Sequence, residues 1–177
     1  METTHDKIRT ILKTNNTERY AFRILGKRLI NKAIYKGVDE EDITTMKDTR
    51  WDYTNRIRLL LASAVTEEVI FGSYAINEDS EIYTEIAEAI SIAKDMIVKF
   101  GMSDLGFAGR ILENNDVILY QQVNNIIEAE THYLKREIVS NIAELMLAFK
   151  DFSKDCFEEE KVDFDFLNKY FEIEKTK

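Results

Sequence analysis

The sequence predicts a mainly α-helical bundle, and three observations carry that prediction. There is no proline and there are only six glycines in 177 residues, so few positions force a helical run to stop. Apolar residues recur at helical spacing through three long stretches, roughly 52–71, 81–100 and 116–151. Hydrophobic residues make up 45% and charged residues 32%, enough for a packed core under a well-solvated surface. The length suits one domain, or one domain with a helical appendage, and a single domain spanning 1–177 is the preferred reading.

Taken in order, residues 1–14 place Ile8, Ile11 and Leu12 on one face of a short helix, with Thr3 or Thr4 as its cap and Asn15-Asn16 as its end. Residues 19–36 carry two patterns. Tyr20, Phe22 and Ile24 alternate as in a strand, while Ile30, Ala33 and Ile34 suit a helix; a small β-hairpin turning at Gly26 is the preferred assignment. Residues 37–49 are an acidic surface connection. From 52 to 71, Ile57, Leu60, Leu61, Ala64, Val65 and Ile70 form a stripe that Leu59, Ala62 and Val69 widen, so this helix is expected at the centre, with Gly72 as its stop.

After the loop SYAINEDS, a helix over 81–100 is expected to turn Ile82, Ile86, Ala89, Ile90, Ala93, Ile97 and Val98 inward and to end at Gly101. Residues 102–115, with Gly106 and Gly109, read as a loop. One long helix is expected over 116–151, bent near His132. A polar turn and a last short helix holding Phe164, Leu167 and Phe171 would follow.

A net charge of −9 and a pI near 4.9 argue against unaided binding to nucleic acid or anionic lipid. The single cysteine, Cys156, excludes an internal disulfide and fits a reducing compartment. No run approaches the ~18 apolar residues of a membrane span, and the first residues do not resemble a signal peptide. The expectation is a cytoplasmic chain without membrane insertion. No glycine-rich phosphate loop occurs, so no ATP site is expected within it.

TEEVIFG, followed about thirty residues later by a helix ending in GMSDLG, resembles the protease domain of the FtsH family, membrane-anchored AAA+ zinc metalloproteases. Glu67, Glu68, Phe71 and Gly72 match the family's A-E-E-x-x-F-G, and Gly101, Met102 and Ser103 match its G-M-S segment. The resemblance implies a helical bundle of the FtsH peptidase-domain type, with 1–115 as a degenerate catalytic part and 116–177 as the C-terminal helical part. It also implies zinc held by three protein ligands with an open fourth position for water.

In that family the first two ligands and the general base come from H-E-x-x-H. Here METTH stands in its register, with Met1 in place of the first histidine. The resemblance then makes Glu2 the general base, His5 the second zinc ligand and Glu85 the carboxylate ligand, with Glu81 and Asp79 as neighbouring alternatives. A thioether is a poor zinc ligand, so zinc is the cofactor the resemblance implies while the depleted set weighs toward a chain holding none. Ala62-Ser63-Ala64 also departs from the family's GGR.

Each of these residues has a plainer role open to it. His5 reads as a lone exposed histidine, Glu2 as a first-turn acid favoured by the helix dipole, and Glu85 as a solvated helix residue. Glu67 and Glu68 read as contacts that orient the domain. His132 reads as the partner of Glu128 in a surface pair, Cys156 as a partly buried thiol and Trp51 as a helix-start anchor.

Two functions follow. One is an FtsH-like metallopeptidase-domain homologue related to ATP-dependent proteolysis but catalytically degenerate. The other is a non-enzymatic helical module that docks a protein partner or self-associates.

Overall fold

The computed structural model describes residues 17–74, 76 and 80–156, and the expected helices over 1–14 and near the C-terminus lie outside them. The described residues form helices and turns with no strand among them. The order is α1 (Thr17–Tyr35), α2 (Glu40–Thr45), α3 (Arg50–Phe71), α4 (Glu81–Val98), a 3-10 segment (Gly106–Asn114), α5 (Asp116–Ser140) and α6 (Ile142–Cys156).

Helix α3 is the axis of the bundle, packed against α1, α4 and α5. Every residue from Leu61 to Glu67 is buried, the pattern of a helix enclosed on all sides. Its ends are set by local chemistry. The Thr49 hydroxyl accepts from the Asp52 amide at 3.4 Å, and Gly72 closes the other end at φ +77° with its N–H on the Glu68 carbonyl at 2.8 Å.

The hairpin expected over residues 19–36 is not formed, because this segment belongs to the continuous helix α1. Phe22, Gly26, Ile30 and Ile34 recur every four residues on its inward face, and the apparent strand alternation places Tyr20 and Ile24 half-buried at the edge of that face. Gly26 is a crossing point rather than a turn. A Cβ there would lie 2.0 Å from Thr66 Oγ1 on α3, and the Thr66 hydroxyl is held by its own bond to the Ala62 carbonyl at 2.7 Å. The missing side chain is what lets the two helices approach.

Helix α4 begins at Ser80, whose hydroxyl accepts from the Tyr83 amide at 3.2 Å. Its inward row is Ile82, Glu85, Ala89, Ala93, Met96 and Ile97. Ile90, expected inside, is exposed, and Glu85 takes a place on the buried face instead. The helix ends with the Met102 amide on the Met96 carbonyl at 2.7 Å and Gly101 at φ +61°. The stretch expected as loop contains the 3-10 segment, which lies close on α4: a Cβ on Gly109 would stand 2.3 Å from the Ile97 carbonyl oxygen.

The single long helix expected over 116–151 is two helices, and the break falls at Asn141 rather than near His132. The Asn141 side-chain amide donates to the Glu137 carbonyl at 2.8 Å, competing with the helical ladder. His132 lies inside α5 with its Nε2 3.8 Å from Glu128 Oε1 on the surface. The break turns α6 back onto α1, where Phe149 stacks on Phe22 with ring centres 4.4 Å apart and an angle of 13°. Phe71 meets the same Phe22 edge-on at 5.8 Å, so three helices share one aromatic contact.

Candidate functional site

Helices α1, α3 and α4 enclose a cleft of about 440 Å³. Helix α1 supplies one face of it, with Tyr20, Ile24, Lys27 and Asn31 brought together by helical spacing. Leu59 and Ser63 of α3 form the back, and Glu81, Ile82 and Glu85 of α4 form the opposite wall.

Glu85, the expected carboxylate ligand, lies on this wall and is only 7% exposed. Lys27 Nζ donates to its Oε2 at 3.1 Å. Burial pushes the Glu85 carboxyl above its ordinary range, against the opposing pull of Lys27, and Glu81 one turn earlier adds to the upward push. Glu81 itself is exposed at the cleft.

A second carboxylate lies one layer deeper. Glu67 on α3 has a fully buried side chain, 0% exposed. Arg19 Nη1 donates to one oxygen at 2.7 Å and Arg23 Nε to the other at 2.5 Å. Arg19 also donates to the Ser73 carbonyl at 3.1 Å and lies 4.8 Å from the centre of the Phe71 ring, while Arg23 lies 4.7 Å over Tyr20. This clamp ties α1 to both the body and the C-terminal end of α3, the orienting role expected of Glu67. Glu68 stays at the surface, 3.6 Å from Lys135.

Arg19, Arg23 and Lys27 were not among the residues the sequence singled out. Their signal was present in the spacing, three cations at successive four-residue steps, one stripe on a helix. Reading the segment as a hairpin turning at Gly26 put Lys27 on a different strand from Arg19 and Arg23 and broke the stripe.

Glu2 and His5 lie outside the described residues, as does Asp79. Among the described residues no group of three His, Cys, Asp or Glu side chains converges in a way that could hold a metal ion. The neighbours of Glu85 in the cleft include Arg23, Lys27 and Arg28, which offer positive charge where zinc needs lone-pair donors. The described surroundings of Glu85 therefore do not fit a zinc ion. No helix among the described residues is long and apolar enough to cross a membrane.

No protein-family model matches this chain. It is 25% identical over 166 residues to a Thermoanaerobacter sp. (strain X514) protein named ATP-dependent zinc metalloprotease FtsH 2. The likeness to FtsH is weak. It covers 89% of this chain but 31% of that protein, so the chain spans about a third of its relative's length. The match suggests a distant relationship with the FtsH family.

Proposed function

We propose that this chain is a degenerate homologue of the FtsH peptidase domain, a helical scaffold that serves ATP-dependent proteolysis by binding protein rather than by cleaving it. The observation that carries this reading is the Lys27–Glu85 pair. The carboxylate in the third-ligand position is buried and already neutralised by an ammonium group 3.1 Å away. A cation in that place raises the cost of bringing Zn²⁺ to the same oxygens. Met1 in the first-histidine position of METTH supports the same reading, since it removes a second ligand. On this view residues 1–115 correspond to the former catalytic part and 116–177 to the helical part that closes it. The partner is a protein, either another component of the proteolytic machinery or a second copy.

The test is the metal content and peptidase activity of the purified chain. After equilibration with micromolar zinc and removal of the excess, elemental analysis is expected to find well under one zinc per chain. Hydrolysis of unfolded casein is expected to stay at background and to be the same for Glu2→Gln. One zinc per chain that is lost in both His5→Ala and Glu85→Ala, with proteolysis abolished by Glu2→Gln, would establish a working metallopeptidase and overturn the proposal.

A further inference from the structure

The α1–α3–α4 cleft has a lining that the scaffold reading does not use. We propose that it binds an α-carboxylate whose α-carbon also carries an apolar side chain and a nitrogen donor, the chemistry shared by a free amino acid and by the last residue of a polypeptide.

The size of the cleft, about 440 Å³, lies in the range of small-ligand sites. Its apolar lining includes the half-buried Ile24 and Leu59, with the buried Ile82 behind them, a place for an aliphatic or aromatic side chain. Its charged groups are divided by helix. Arg23, Lys27 and Arg28 of α1 are donors and Glu81 and Glu85 of α4 are acceptors, while Tyr20, Asn31 and Ser63 can do either.

This division selects among ligands. A bare anion would satisfy the α1 wall but face two carboxylates, and a bare cation would meet the reverse conflict. A ligand with a carboxylate and an N–H on adjoining atoms satisfies both walls and leaves its side chain for the apolar surface. A guanidinium such as Arg28 suits a carboxylate because it keeps its charge and carries five N–H donors. Glu85 can still accept from a ligand nitrogen, because a carboxylate has about four lone-pair sites and Lys27 is seen to occupy one. A site that concentrates donors in this way is notable in a chain of net charge −9, where a dissolved carboxylate is repelled by most of the surface. The inference concerns the cleft alone and stands whether or not the chain takes part in proteolysis.

The test titrates the intact chain with L-leucine, N-acetyl-L-leucine and L-leucinamide, followed by calorimetry or ligand-observed NMR. Saturable binding is expected for at least one of the two carboxylates, with leucinamide at least about tenfold weaker because it lacks the charge that the α1 wall receives. Tighter binding of leucine assigns the site to free amino acids, and tighter binding of N-acetyl-leucine assigns it to chain ends. Arg28→Gln is expected to weaken the preferred carboxylate by about tenfold. Both Arg28 and Glu81 are exposed, so Arg28→Gln and Glu81→Gln are checked for unchanged helicity and melting and then compared. The proposal is overturned if neither carboxylate saturates by about 10 mM, if leucinamide binds as well as leucine, or if neither variant changes the binding.

Discussion

Glu67 and Glu85 make an instructive pair. Both are glutamates on the inner faces of helices, both are answered by cations from α1, and the two helices that carry them pack on each other. Glu67 is enclosed by two guanidinium groups, one on each oxygen, with no exposed side-chain surface. Glu85 has one ammonium partner that is itself 40% exposed, and it borders open space. Matching a buried charge on every side turns it into a structural tie. Matching it on one side, next to a cleft, leaves it able to respond to what enters.

The comparison predicts unequal costs for removing each carboxylate. Glu67→Ala leaves the Arg19 and Arg23 clamp without its anion inside the α1–α3 contact. It is expected to lower stability by about 3–5 kcal/mol in urea denaturation. A loss below about 1 kcal/mol would mean that the clamp is no more than a surface pair.

Next in size is the contact that lets the clamp close. Gly26→Ala pushes a methyl group into Thr66 and is expected to cost about 1–3 kcal/mol, with part of the loss recovered in the double variant with Thr66→Ala. Equal losses in the single and double variants would show that the α1–α3 spacing is set elsewhere.

The smallest effect is expected at Glu85→Gln, within about 1 kcal/mol of wild type at pH 7. The sign of its pH dependence follows from the raised carboxyl pKa. The native state binds the Glu85 proton more tightly than the unfolded chain does, so the contribution of Glu85 is greatest below its ordinary value of 4.5 and declines as pH rises through the raised native value. The glutamine variant should lack that decline, which thermal melts across mildly acidic pH would reveal. A destabilisation as large as that of Glu67→Ala would erase the distinction between the two sites.

The elements that were legible in the sequence are those whose causes are local. Helices α3 and α4 follow from apolar spacing, and their ends from Gly72 and Gly101, where positive φ favours glycine. Helix α1 was misassigned because its glycine looks the same whether it turns a chain or admits a neighbour. What decides is Thr66, forty residues later and invisible to local pattern. The break at Asn141 was hidden for a related reason, since Asn124 and Asn125 lie within unbroken α5. At Asn141 the side chain captures the Glu137 carbonyl.

The candidate site was half legible. Glu85 was singled out through resemblance as a ligand position, but the lysine that pairs with it lies 58 residues away, and the cation stripe needed the right helix to be seen.

The stacking of Phe149 on Phe22 has a bearing on how the chain is made. One ring belongs to the first described helix and the other to the last, so the ribosome delivers α1 long before its aromatic lid. Until α6 emerges, the face of Phe22 that will meet Phe149 lacks that partner ring. The turn at Asn141 is thus the step that brings the two rings together, and among the described helices the contact is closed by the last rather than the first.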